Sequence, residues 1–376
     1  MSARVRSLLF VALTLLAIVV FEARIRREMI DFVTWRQAAV RALNAEPLYR
    51  PEDGHYQFKY FPLFAVVMAP FGALDEDIGK ITWFAASVGF LVALLRWSVA
   101  LLPDRRLSQQ IILGITIALM AKFYAHELLL GQVNLMLGAL LMGALVAITT
   151  NRPLVAGGLV GLAVFIKPYA LILLPWLLVT QGLPAAGVAA VVIALGLVFP
   201  AIVYGWNGNL ELLRGWMVTV TDSTTPNLLG NDNVSIAAMW AKWLGPGPTA
   251  SAVALLTIVV VMVLVVVACQ RRRSVKAPAY LEWALLMLLM PLISPQGWDY
   301  VLLLATPAVV CLVDRWRDLT SPWRWVVAVA LGLMGFAMFD LMGRALYGQF
   351  MALSAITVCA LVVAIGLVHL RWRGLA

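Results

Sequence analysis

A few polar side chains interrupt an otherwise apolar chain, and their types define the chemistry open to it. Asp31 offers a carboxylate able to take a proton from an attacking hydroxyl, the task of a general base. Lys167 is followed by Pro168 inside a hydrophobic run, so a helix breaks there and leaves an ammonium at the break. A cation so placed is suited to hold a lipid phosphate. A lysine near the middle of a bilayer costs about 2.5–3.5 kcal/mol on insertion scales, so its default reading is functional. Each residue also has a structural use, because lysines snorkel from helix ends and aspartate is a favoured helix cap.

Other polar groups gather in short clusters. Gly131-Gln132-Val133-Asn134 and Asn231-Asp232-Asn233-Val234-Ser235 bring the amides and hydroxyls of Gln132, Asn134, Asn231, Asn233 and Ser235 to the ends of hydrophobic segments. Such groups suit a ligand rich in hydroxyls, and they also make ordinary turns. Ser294-Pro295-Gln296-Gly297-Trp298-Asp299-Tyr300 is a tight turn between two apolar runs. Trp298 can stack on a sugar face or anchor the membrane interface, and Asp299 can orient a cation or cap the next helix. Lys59 and Tyr60 belong to the same outward set. His55, His126 and His369 are too scattered in sequence to suggest a metal centre, and no dinucleotide fingerprint, P-loop or zinc spacing is present. The expectation is an intramembrane enzyme acting on a lipid-linked substrate, with no metal and no cofactor.

The elements that must position these residues are membrane helices. Of 376 residues, 63% are hydrophobic and 12% charged, against about a quarter charged in soluble domains. The expected fold is therefore an all-α polytopic membrane protein, a single integral membrane domain over 1–376. The net charge of +9 sits in short runs beside hydrophobic segments, among them Arg105-Arg106, Arg271-Arg272-Arg273 and Arg315 with Arg317. That pattern sets orientation in a membrane and does not speak for nucleic acid. Three cysteines, Cys269, Cys311 and Cys359, fit no metal motif and read as small buried hydrophobes. Residues 8–21 resemble a signal-peptide core, but Glu22-Ala23-Arg24 is a poor cleavage site, so a retained first helix is expected.

With the basic loops taken as cytoplasmic, about twelve crossings fit the length rule. The first runs over 7–22 and the last over 350–369. An outer loop over 23–80 carries amphipathic helices, one of them over 30–44 with Ile30, Val33, Val40 and Leu43 on its apolar side. The run 61–74 is short and holds Pro62 and Pro70, so it reads as re-entrant or interfacial. A second outer loop, over 205–249, completes the cover of the site. This places Asp31, Lys59, Gln132, Lys167, Asn231 and Trp298 on one side of the membrane. A transporter or flippase of a lipid-linked or small-molecule substrate is the alternative; it would spread polar groups along helices and show inverted repeats, which are not visible here.

The landmarks also come in a telling order. Asp31 follows the first span; then come Tyr49, Phe58-Lys59-Tyr60-Phe61-Pro62-Leu63, Gly131-Gln132-Val133-Asn134, Gly157 and Gly161 before Lys167-Pro168, Asn231 to Ser235, and Leu292-Ile293-Ser294-Pro295 with Trp298-Asp299. Over roughly residues 30–310 this resembles the polyprenol-phosphate-mannose-dependent mannosyltransferases of glycosyltransferase family 87, which have the GT-C membrane fold. The resemblance implies a polyprenyl-phosphate sugar donor, a glycolipid or glycan acceptor, and an active site on the outer face of a bacterial cytoplasmic membrane. It implies Asp31 as the base and Lys167 beside the donor phosphate. On charge alone, an outer-loop arginine, Arg36 or Arg214, is a further cation expected to stabilise the leaving phosphate. The sequence departs from the family in two places. Tyr300 and Val301 stand where members tend to carry histidines, and Tyr60-Phe61-Pro62 stands where they often read tyrosine-proline-proline.

Overall fold

The computed structural model describes residue 15 and residues 17–374. Most of the expected first span, 7–22, lies outside the described residues. All elements among the described residues are helical, and the one strand-like pairing is an isolated bridge between Asn233 and Trp298. Four helices are long and apolar enough to cross a membrane: Glu76–Ala100, Gln109–Leu130, one beginning at Pro248, and Ala355–Trp372. A fifth crossing is available if Leu183–Val198 and Ala201–Leu228, which meet at 87°, form one broken span. Asn134–Thr149, Pro153–Ile166, Pro168–Gln181 and Ala279–Ile293 are apolar but shorter.

Local chemistry explains where these helices start and stop. Asp75 caps Glu76–Ala100, its carboxylate accepting from the amide N–H groups of Asp77 and Ile78. Ser108 caps Gln109–Leu130 in the same way, and Ser235 caps Ile236–Leu244. Gln109–Leu130 ends on Gly131 in the left-handed region, at φ +68°, which a glycine adopts without a Cβ penalty. Pro153–Ile166 packs on Leu183–Val198 through small residues. A Cβ on Gly157 would come within 2.1 Å of the Ala185 carbonyl, and one on Gly161 within 2.9 Å of that of Ala189. Only glycine allows this approach, the usual device for joining helices in lipid.

The centre of the bundle is the hairpin formed by Ala279–Ile293, the short helix Asp299–Ala305, and Thr306–Asp314. Residues 280–292 and 299–314 are all buried. Helices apolar all round are placed inside a bundle. The turn Ser294–Trp298 is therefore carried on the tip of the core hairpin. At the other end, the Asp314 carboxylate accepts from the amide N–H groups of Arg106 and Leu107, both at 2.8 Å, while Arg315 donates to the carbonyls of Pro103 and Asp104. Arg371 donates to the Pro278 carbonyl, and Trp176 to Glu282. Successive helices thus alternate between a basic end, fastened by these contacts, and the end that carries Gly131, Lys167 and the Ser294–Trp298 turn.

Two expectations change in detail. The helix over 30–44 is present as Ile30–Leu43, but its buried face is Phe32, Trp35, Ala38, Ala39 and Ala42. Leu43 is exposed, and Arg41 is buried against Asp53 at 2.5 and 2.7 Å. The stripe of two aromatics and small residues keeps helical spacing better than the aliphatic one, and its rings lock edge to face with Phe64, Phe71 and Trp83. The segment 61–74 forms two short helices, Pro62–Val67 and Ala69–Ala73, broken at Met68. Much of the segment 205–249 is helix as well. Beyond a break at Gly205, φ +69°, the chain runs helically to Leu228.

Candidate functional site

The polar residues of these segments face a cavity of about 470 Å³. Its lining includes Asp31, Lys59, Tyr60, Gln132, Lys167 and Trp298, six of the residues singled out from the sequence. They come from five separate places in the chain, and the local folding shows why they meet.

Asp31 stands in the first turn of Ile30–Leu43. That helix is held down by Trp35, whose indole N–H donates to the Gly131 carbonyl at 3.2 Å; Trp83 donates to the same carbonyl at 3.1 Å. The turn at Gly131 then projects Gln132 into a short relay. Tyr60 donates to the Gln132 side-chain carbonyl, and the Gln132 amide donates to the Tyr300 hydroxyl, both at 3.0 Å. Lys167 sits at the end of Pro153–Ile166 with extended backbone (φ −143°, ψ 116°), because the following proline disfavours the helical region. Its ammonium lies 5.4 Å from the centre of the Tyr60 ring. The Lys59 carbonyl accepts from the Trp216 indole at 3.1 Å, and the Tyr60 carbonyl from the Tyr49 hydroxyl at 2.6 Å. The segment bearing Lys59 is therefore fixed by its backbone, which leaves the ammonium for the cavity.

Electrostatics inside the cavity are those of partial burial. Burial pushes the Asp31 carboxyl above its ordinary range, opposed by hydrogen bonding with Gln132 and by the charges of Lys167, His126 and Lys59. Burial lowers Lys59, and the Lys167 charge adds to this, while Asp31 opposes it. An anion entering the cavity would relieve Lys59, and a hydroxyl donating to the carboxylate would relieve Asp31.

Sequence reasoning passed over several lining residues. His126 projects from Gln109–Leu130, its Nδ1 3.3 Å from an Asp299 carboxylate oxygen. The chain lacks a histidine after Trp298-Asp299 but brings one to Asp299 from another helix. Asp232, Tyr300, Tyr169 and Trp216 also line the space. The spacing of Trp216, Val220 and Thr224 puts them on one face of the helix that follows Gly205. Glu127 is fully buried behind Gln132, accepting from the amides of Asn134 and Leu135 and from the Asn134 side chain. It serves as the cap of Asn134–Thr149 that the sequence there does not supply.

Other expected residues support the walls without lining the cavity. Asn134 bonds to Glu127. Asn233 donates to the carbonyls of Asn227 and Pro295, and Ser235 caps its helix. The Asn231 carbonyl accepts from Lys242, and Asp299 stands behind His126 with Lys122 3.8 Å away. Arg36 donates to the Leu74 carbonyl at 2.6 Å, and Arg214 is exposed on the Ala201–Leu228 helix. Neither arginine is a lining residue.

A family model, glycosyltransferase family 87, matches residues 58–295, well over half of the chain. The chain belongs to this family. It is a glycosyltransferase, and the matched span takes in Lys59, Tyr60, Gln132, Lys167 and Asp232, while Asp31, Trp298 and Tyr300 flank it. No curated protein and no solved structure matches the family 87 chain. A glycosyltransferase needs a place for a sugar donor and an acceptor hydroxyl, and this cavity offers a carboxylate, cations, amides and an aromatic ring in one enclosure.

Proposed function

We propose that this glycosyltransferase moves a sugar, mannose by the family resemblance, from a polyprenyl-phosphate donor to a hydroxyl of a glycolipid or glycan. The observation that carries the reading is that Asp31 and Lys167, a carboxylate and a cation from opposite parts of the sequence, line one cavity with Lys59 between chain segments. Asp31 takes the proton of the acceptor hydroxyl as its oxygen attacks the anomeric carbon. The bond from that carbon to the phosphate oxygen breaks, and the electron pair leaves with the polyprenyl phosphate. Lys167 and Lys59 stabilise the charge that develops there. One displacement inverts the anomeric centre, so a β-linked donor gives an α-linked product. Asp31 then releases its proton to water.

The depth of the cavity suits such a donor. Pro153–Ile166, 14 residues, is about 21 Å long, short of the roughly 30 Å of a hydrocarbon core. A helix that starts at the basic end therefore delivers Lys167 below the outer boundary, within reach of a donor whose tail lies in the lipid. By the positive-inside rule the end bearing Arg105-Arg106 and Arg271-Arg272-Arg273 is cytoplasmic, so the cavity faces outward. The about twelve crossings expected from the sequence keep that arrangement.

The test is transfer of radiolabelled mannose from polyprenyl-phosphate-mannose into a membrane lipid extract by purified wild type and Asp31→Asn. Transfer by the wild type alone is expected. Normal turnover by Asp31→Asn removes Asp31 from the mechanism, and transfer only from a nucleotide sugar removes the donor class.

A further inference from the structure

The cavity has two electrostatic environments. The charged groups around Asp31 are Lys167, His126 and Lys59; those around Asp232 are Asp299, His126, Lys122 and Lys242. His126 belongs to both and stands between them. Resting on the donor reading above, which assigns the lysine side to phosphate, we infer that the Asp232 side, with Trp298 and His126, is a subsite for the uncharged terminal sugar of the acceptor.

The backbone there is fixed while the side chains are left for a ligand. The Asp299 amide donates to the Asp232 carbonyl at 2.9 Å, and the Val234 amide donates to the Gly297 carbonyl at 2.6 Å, closing the bridge between Asn233 and Trp298. Gly297 permits this only because it has no Cβ, which would fall 1.9 Å from the Pro291 carbonyl oxygen. Gln296 pins the turn from the other side, donating to the Val220 carbonyl and to the hydroxyls of Ser223 and Thr224. Among the described residues the Asp232 carboxylate accepts no hydrogen bond and the Trp298 indole N–H donates none, yet both residues line the cavity.

The nearby lysines are engaged elsewhere, and His126, which does line the cavity, faces the Asp299 carboxylate at 3.3 Å. Lys242 donates to the carbonyls of Asn231, Asn233 and Met351, and Lys122 to that of Ala337. Neither lines the cavity. An anionic group entering here would meet the open carboxylate of Asp232. A neutral pyranose would not: its hydroxyls donate to a carboxylate, and one of its faces is apolar enough to lie on an indole. The open carboxylate is the repulsive element that discriminates against charged sugars.

Direct binding to the purified full chain in detergent tests this without turnover. The probes are butyl α-mannoside, butyl α-glucoside, butyl glucuronide and, separately, a polyprenyl phosphate. One or both neutral glycosides should bind and the glucuronide should not. Asp232→Asn and Trp298→Leu should each weaken the glycoside about tenfold, the size of one lost charge-assisted contact or stacking face. Both should leave polyprenyl phosphate binding unchanged, while Lys167→Ala should do the reverse. Glycoside binding that is absent, unaffected by both variants, or matched by the glucuronide overturns the subsite. Loss of polyprenyl phosphate binding in the wild type overturns the donor reading, and that result is read independently.

Discussion

Gly131 rests directly on Phe32: a Cβ built at position 131 would stand 2.7 Å from the Phe32 Cβ and 2.9 Å from the end of Met29. Since Phe32 follows Asp31 and Gly131 precedes Gln132, this one contact sets the Asp31 carboxylate beside the relay of Tyr60, Gln132 and Tyr300. Gly131→Ala meets two penalties, a left-handed backbone costing roughly 1–2 kcal/mol and a clash that pushes Ile30–Leu43 outward. The variant should lose a few degrees of thermal stability but transfer activity by at least about tenfold. Parallel measurement of melting temperature and initial rate decides whether the contact positions Asp31 or only packs.

Asp31→Asn should lower transfer by about 10²–10⁴-fold, the usual range for loss of a general base. Its effect on stability should have the opposite sign. Burial raises the Asp31 carboxyl above its ordinary value, so the folded chain holds a proton that the unfolded chain has already released. Stability therefore falls as pH climbs from the ordinary carboxylate value through the raised one, and above that window the ionised group is a standing cost. Asparagine removes the cost, so melting temperatures of the two proteins should converge in acid and favour the variant at neutral pH. A lower melting temperature for Asp31→Asn at pH 8 would contradict this account. In the wild type, kcat/KM should rise with pH through the same raised value.

Much of this cavity is legible in the sequence because lone polar residues at the ends of apolar runs stand out. Asp31, Lys59, Gln132, Lys167 and Trp298 were visible for that reason, and Pro168 marked the break that turns Lys167 inward. His126 and Glu127 were not, since they sit inside Gln109–Leu130 and a continuous apolar pattern gives no sign of which side faces the cavity. Asn233 and Ser235 carried the same composition as binding residues but are consumed by the turn and cap that Asn and Ser so often build. The segment 205–228 reads as a loop because it is more polar than a span, yet it is helical and lends Trp216 to the site. Its helix is specified by what it covers, which no local pattern reports.

Trp216 acts on the cavity through Lys59. Its indole N–H donates to the Lys59 carbonyl, and its ring stacks on Phe61 with centroids 3.9 Å apart. Trp216→Phe keeps the stacking surface and loses only the hydrogen bond, at a cost of about 1 kcal/mol. The donor kcat/KM should fall severalfold, less than for loss of the lysine itself, since Lys59 is released rather than removed. Trp216→Ala should lower it further and also lower the melting temperature. Equal donor kcat/KM values for wild type and Trp216→Phe would show that Lys59 does not depend on this anchor.

The break before Pro168 supplies the last prediction. The Lys167 backbone is extended because proline's ring crowds the helical conformation of the residue before it. In Pro168→Ala that restriction disappears, and an alanine at this position favours continuing Pro153–Ile166 as helix. Continuation would rotate Lys167 about its helix axis, away from the Tyr60 ring over which its ammonium now lies at 5.4 Å. A cation moved by even one residue's rotation no longer meets the developing phosphate charge, and preorganised charges of this type contribute about 10²–10³-fold in rate. Pro168→Ala should therefore approach Lys167→Ala in lost kcat while gaining helix stability. The double variant should be no worse than Lys167→Ala alone, because both changes remove the same interaction. A double variant whose losses multiply would mean that Pro168 serves the site by some route other than Lys167.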